Sequence, residues 1–331
     1  MREKEYVEFL RARKQTEESV GSAVEYVAEF EKHLIGKGKS LEAADVGDVK
    51  EYTSLLMAEN KNTMDRFIAL ARYVYMIGLN EVFIYFTSII GGREVPPSIS
   101  ERLASVAGEK VRDEVFDGIE YPPLGSPPES FPQVTRLLVS RLLALGPEVC
   151  HNVLAGNHHG IPVESFSKHK EWLREAQGLD NFLIRVHQEA VQELERYMNE
   201  GKIWYEQEIT PEVVEFVRGN QEVRSAVREG EYLYITKMPY APKDWLKEAD
   251  PVMKRYYACH CPLARTAIIK GEPQIPLDWC YCSAGYNKLM FDVVFEEPTR
   301  VEVLESALAG DQRCRFRVKI PSNHLRSTHL P

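Results

Sequence analysis

The sequence predicts an α+β fold: a helical amino-terminal bundle, a helical middle section and an antiparallel sheet toward the carboxyl end. Three observations predict it. Apolar residues recur every three to four positions through residues 1–90. Proline and glycine interrupt regular structure across 93–133. From residue 231 the pattern changes to an alternation of period two. A chain of 331 residues suits two domains. They are expected at 1–92 and 134–331, joined by a connector at 93–133 that carries a short helix. The second domain divides into a helical part, 134–230, and a sheet-rich part, 231–321.

The first helical stretch, SVGSAVEYVAEFEKHLIGKGKS, places Val20, Val24, Val27, Phe30 and Leu34 on one face, and Gly36 and Gly38 stop it. In SLEAADVGDVKEYTSLLMAEN the inward positions are Val49, Tyr52, Leu55 and Leu56. NTMDRFIALARYVYMIGLN has Asn62 or Thr63 as cap, Phe67, Leu70, Val74 and Ile77 inward, and Gly78 as terminator. VFIYFTSII at 82–90 is too short to span a membrane and reads as buried core.

In the connector, GGREVPPS and YPPLGSPPESFP flank a helix expected near 99–116. QVTRLLVSRLLALG, VESFSKHKEWLREAQG and LDNFLIRVHQEAVQELERYMNEG follow as helices, and TPEVVEFVRGN offers Thr210 as cap with Pro211 at the first helical position. Beyond residue 231, EYLYITKMPY alternates, and residues 293–321 read as three strands separated by turns, one of them at Gly310-Asp311.

The net charge is −9, which argues against a large nucleic-acid footprint, since phosphate binding needs clustered cations. MREKEYVEFLRARKQ lacks the apolar stretch of a signal peptide, and no run of residues predicts a membrane span. A cytoplasmic setting is expected, where thiols stay reduced and clustered cysteines point to metal binding or thiol chemistry.

Those cysteines carry the main functional signal. YYACHCPLAR and DWCYCSAGY hold two C-x-C pairs, Cys259/Cys261 and Cys280/Cys282, eighteen residues apart. Four thiolates, or three with His260, suit zinc or an iron–sulfur centre, although one residue between ligands is fewer than a zinc knuckle uses. If DWCYCSAG is extended, Cys280 and Cys282 share a face. Pro262 makes Cys261 a helix cap, where the dipole would favour its thiolate. Cys261 is thus also a candidate nucleophile, with His260, or His158 and His159 of GNHHGIP, as base and Arg265 holding a substrate carboxylate. Simple packing of the thiols is the third possibility. Cys314 alternates with Phe316, Val318 and Ile320 and is expected in the core, with Arg313, Arg315, Arg317 and Lys319 opposite.

Three resemblances add expectations. Residues 5–85, through KGKSLEAADVGDVKEY and TMDRFIALARYVY, resemble the core-binding (SAM-like) domain of tyrosine recombinases and phage integrases. This implies a four-helix unit that clamps DNA, with Lys61, Arg66 and Arg72 as contacts. Residues 1–95 nonetheless carry 13 Lys and Arg against 16 Asp and Glu, and no Arg…His-x-x-Arg…Tyr set follows, so recombinase activity is not expected. VEVLESALAGDQRCRFRVKIP looks like the closing segment of 4-vinyl reductase domains, some of which hold zinc; Cys314 matches the last cysteine of that pattern, and Ser306 stands where the earlier one falls. CHCP and CYCSAG, with the same ending, resemble the family grouped with L-2-amino-thiazoline-4-carboxylic acid hydrolase, which implies a cysteine-dependent hydrolase or small-molecule binder with Cys261 as the thiol. The whole chain also looks like an uncharacterised bacterial and archaeal family. The two expectations are a small-molecule- or metal-binding cysteine domain, or a DNA-bound regulator with that domain as sensor.

Overall fold

The computed structural model describes residues 1–325, and the chain divides into two compact units. The first comprises Met1–Arg93 with Tyr121–Ser130; the second comprises Glu94–Glu120 and the chain from Phe131 onward. The Pro/Gly-rich stretch is therefore shared. Its helical half belongs to the second unit and its YPPLGSPPES half folds back on the first.

Among the described residues, the first unit has five α-helices: α1 (Glu3–Ala12), α2 (Glu17–Gly36), α3 (Val46–Ala58), α4 (Met64–Met76) and α5 (Asn80–Ile90). Their starts follow from short polar side chains. Thr16, Asp45 and Thr63 accept hydrogen bonds from the backbone N–H three residues on, and Asp45 and Asp48 form a reciprocal capping box. The predicted stripe closes the core: Val20, Val27, Phe30, Leu34, Val49, Tyr52, Phe67, Leu70 and Val74 are buried with Phe86 of α5. Leu55 is a correction. It is 44% exposed, because the α3 face through Val49, Tyr52, Thr53 and Leu56 turns it to solvent.

Asp48 is the notable polar member of this unit. Its side chain is 2% exposed and bonds Lys37 Nζ and Lys39 Nζ at 2.7 Å each. Burial alone would raise its pKa, but the two ammonium groups and the Asp45 N–H hold it well below the usual carboxylate range. The stabilisation is thus complete above the unfolded-state value of about 4 and is lost as pH falls below it. Asp48→Asn is expected to lower stability by about 2 kcal/mol at pH 7 and to flatten the acid side of the stability profile. Urea midpoints between pH 3 and 7 check this; parallel profiles for both proteins would refute it.

The second unit opens with α6 (Val95–Ala107) and α7 (Glu109–Phe116), divided at Gly108 with φ +94°, where a single helix was expected. Then come α8 (Pro132–Ala144), α9 (Pro147–Leu154), α10 (Ser167–Glu175), α11 (Leu179–Asn199) and α12 (Pro211–Arg218), the last capped by Thr210. The sheet has the order β1-β2-β4-β3, all neighbours antiparallel: β1 (Val227–Glu229), β2 (Tyr232–Thr236), β3 (Val301–Glu305) and β4 (Arg315–Lys319). Between β2 and β3 lie α13 (Pro242–Lys247), α14 (Pro251–Ala258), α15 (Thr266–Lys270) and α16 (Tyr281–Val294); α17 (Ser322–Leu325) ends the described chain.

Two strand expectations fail on α16. Val293-Val294-Phe295 reads as β from its branched side chains, but helical spacing brings Ala284, Phe291, Val294 and Phe295 together into the core with Leu233, Ile235, Phe316 and Val318. DWCYCSAG is likewise not extended: a 3-10 turn at Leu277–Cys280 runs into α16. On the far face of β4 each arginine is engaged. Arg315 binds Glu222 through two bonds, Arg313 binds Glu305, and Arg317 binds Glu302. No helix among the described residues is long and apolar enough to cross a membrane.

Candidate thiol site

Four thiols from three places in the second unit meet in one region. Cys259 is the residue that ends α14. Cys261 opens the turn after it. Cys280 closes the 3-10 turn before α16, and Cys314 directly precedes β4. Cys259, Cys280 and Cys314 are buried and Cys261 is partly buried. Cys280 lies in the electrostatic range of the other three, and Cys259 in that of Cys261 and Cys314. Burial, reinforced for Cys259, Cys280 and Cys314 by neighbouring sulfurs, raises the pKa of all four.

Hydrogen-bonding groups are also set against these sulfurs. The backbone at Cys261 and at Leu263 favours the thiolate forms of Cys259 and Cys261. Trp279 Nε1–H also donates to Cys261 Sγ, at 3.3 Å. The backbone at Ala307 favours the thiolate form of Cys314. Cys280 Sγ lies 3.0 Å from Ser306 Oγ, whose oxygen accepts from Leu308 N–H. Ser306 thus sits in the site as a hydrogen-bonding neighbour of a sulfur.

Cys282 separates from its C-x-C partner. Two residues of helix turn about 200° around the axis, so Cys280 and Cys282 point apart. Cys282 feels Cys261, Lys237 and Glu94 instead, and burial pushes its thiol up to about 12. Cys261 also departs from expectation. Arg265 N–H bonds its carbonyl at 2.9 Å, but the turn after Pro262 leads only to α15, which begins at Thr266 and is five residues long. It therefore caps no extended helix, and burial outweighs the groups that would favour its thiolate.

Two cations border the sulfurs. Arg265 is 6% exposed; its guanidinium packs on the rings of Tyr240 and Tyr256, 4.0 and 5.2 Å from their centroids, and its Nε has no hydrogen-bond partner. Lys237 bonds Ser283 Oγ at 2.9 Å. Among the described residues neither has a carboxylate within 4.0 Å. Lys237 lies in range of Cys261, Cys282 and Cys314, and Arg265 in range of Cys259 and Cys261. The acidic group in range of both is Glu206, whose pKa burial raises, favouring its neutral form.

The histidines take different places. His260 Nε2 lies 2.6 Å from the Met238 carbonyl; it therefore carries the hydrogen and donates, and burial keeps the ring neutral. His158 is buried and has both nitrogens engaged, Nε2 with the Val153 carbonyl and Nδ1 with Ser98 Oγ, so it offers no free nitrogen to a substrate. Burial lowers its pKa to about 4. His159 pairs with Glu94 at 3.1 Å and meets Tyr286 edge-on. In the first unit, Arg66 is buried against Glu29 and Tyr26, Arg72 bonds Gln15, and Lys61 pairs with Glu59.

The structure brings Cys259, Cys261, Cys280 and Arg265 together, as the motif spacing led one to expect, and adds Lys237 and Glu206, which the motifs did not single out. Lys237 left a signal: it continues the parity of Leu233 and Ile235, so a lysine stands where the alternation calls for a core residue. For Cys314 and Ser306 the signal was the resemblance of the closing segment to 4-vinyl reductase domains, while the alternation by itself placed Cys314 in the core. Residues 234–325 match a family of unknown function (DUF6144), a span that includes all five of these cysteines, Lys237 and Arg265. No curated protein and no solved structure matches the chain.

Proposed function

We propose that the second unit is a metal–thiolate domain, with Cys259, Cys261, Cys280 and Cys314 as ligands. The observation that carries this reading is the gathering of these four thiols with hydrogen-bonding groups set against them, Trp279 Nε1–H on Cys261 Sγ at 3.3 Å and Ser306 Oγ on Cys280 Sγ at 3.0 Å. Cysteines that merely fill a core need no such groups, whereas N–H and O–H donors stabilise thiolates and tune the metal they hold. Arg265 supports the same reading, because a buried cation without a carboxylate partner is costly unless an anionic centre offsets it, and the part-buried Lys237 adds a second cation beside the sulfurs. A nucleophilic role for Cys261 has less support: burial favours its neutral thiol, and thiol attack requires the thiolate. DNA contact through Lys61, Arg66 and Arg72 also has less support, since protein groups already occupy all three.

The test is metal content by elemental analysis of protein purified without chelator. Native protein is expected to hold metal in stoichiometric amount. Cys280→Ser and Cys314→Ser are expected to lose at least nine-tenths of it, and Cys282→Ser to keep it. Metal-free native protein that takes up no zinc or iron on reconstitution would overturn the proposal.

A further inference from the structure

We infer that the second unit carries a binding pocket for a small polar carboxylate, with Arg255 as the residue that grips it. The inference stands apart from the metal–thiolate reading, because no cysteine lines the pocket.

The cavity is the first observation. It has a volume of about 210 Å³ and is walled by α14, by residues 267–275 of α15 and the loop after it, and by the 308–310 turn that precedes β4. A cavity of about 150 Å³ holds a benzene ring, so this one takes roughly eight non-hydrogen atoms. Ile268, Ile275 and Leu308 contribute to the wall, but more of its accessible surface is polar than apolar. It therefore suits a small polar molecule better than a hydrocarbon, since polar groups in a wall need partners.

The Arg255 guanidinium is the second observation. Two backbone carbonyls fix its orientation: Nε–H donates to the Ala307 oxygen at 2.8 Å and Nη2–H to the Leu308 oxygen at 3.4 Å. A guanidinium has further N–H donors on Nη1 and Nη2, and these suit the paired oxygens of a carboxylate. Among the described residues no carboxylate lies within 4.0 Å of Arg255, so its charge is not already paired. Gln274 Nε2 bonds the Gly271 oxygen at 3.0 Å, which holds the amide in the same wall and leaves Oε1 as an acceptor for a polar substituent. The pocket also borders the thiols. Leu308 N–H donates to Ser306 Oγ, which lies 3.0 Å from Cys280 Sγ, and Cys259 N–H bonds the Arg255 carbonyl at 3.1 Å. A carboxylate on Arg255 would thus sit about one helical turn from Cys259.

The experiment is calorimetric titration of the full chain with succinate, which has about the size the cavity takes, and with succinamide, its uncharged isostere. Succinate is expected to bind at least about tenfold more tightly, because hydrogen bonds to a charged group are the stronger ones. Two variants locate the binding. Arg255→Gln removes the charge, and Ala309→Phe fills the cavity from the exposed turn without touching the guanidinium. Each should weaken succinate binding at least about tenfold. Arg255 also braces the turn, so circular dichroism and thermal melting verify that its variant folds; should it fail to fold, Ala309→Phe decides. Equal affinities for succinate and succinamide, or succinate binding that Ala309→Phe leaves unchanged, would overturn the pocket. Inorganic phosphate bound in preference to succinate would overturn the carboxylate assignment, and absence of succinate binding in the millimolar range would overturn both.

Discussion

Gly285→Ala is expected to destabilise the second unit by at least about 2 kcal/mol, or to leave it unfolded. Gly285 is buried on α16, where the helix passes the end of α9. A Cβ there would lie 2.6 Å from the Ala155 carbonyl carbon, 2.7 Å from the Gly156 oxygen and 2.8 Å from the Ala155 oxygen. These are backbone atoms, with no flexible side-chain end to give way. Overpacking of this kind costs about 1–3 kcal/mol, and more where backbone must shift. Alanine's helix propensity returns only about 1 kcal/mol. Gly21 supplies the control. It lies on an exposed face of α2, and a Cβ there would meet nothing within 4 Å. Gly21→Ala should therefore raise stability by up to about 1 kcal/mol. Urea unfolding of the two variants checks the pair, and equal shifts of one sign would show that packing at Gly285 does not matter. The same contact positions the site. Moving α16 would carry Cys282 and Ser283 with it, and moving the 155–159 loop would carry His159.

Arg265→Met should have opposite effects on the metal-free and metal-loaded protein. In the metal-free state the guanidinium is buried on Tyr240 and Tyr256 with an unpartnered Nε and no carboxylate at ion-pair distance. Replacing such a charge by an apolar side chain of similar length removes its desolvation penalty, and the free protein is expected to be at least as stable as the native one. With an anionic metal–thiolate centre in place, the same substitution removes half of the balancing charge. Metal release to a chelator should then be at least tenfold faster than from native protein. Thermal melts of the metal-free forms and chelator-competition rates measure the two effects separately. A variant less stable when metal-free, with unchanged release, would make Arg265 a packing residue and count against its role beside the sulfurs.

Local features were legible where the physics is local. Thr63 and Thr210 cap helices because their side chains reach N–H groups three residues away, and Pro211 sits at a first helical position for the same short-range reason. The stripe from Val20 to Leu34 and the alternation from Leu233 to Ile235 are set by the periods of helix and strand. The failures occurred where local preference and packing disagree. Val293 and Val294 favour a strand, but helical spacing puts Phe291, Val294 and Phe295 into one core. The Pro/Gly-rich stretch looked like a single linker, yet its two halves follow different cores.

The cysteine site divides along the same line. Sequence alone determined that four thiols come in two close pairs, that Pro262 turns the chain after Cys261, and that Arg265 follows one turn later. Tertiary structure decided which sulfurs meet. It set Cys282 apart by winding DWCYCSAG into a helix, and brought Cys314 in from the entry to β4, more than thirty residues further on. It also placed Lys237 and Arg265 beside them. Spacing along a chain limits how far apart two side chains can be, but which face each presents depends on the secondary structure it joins. Which distant groups gather there depends on the core that closes around them.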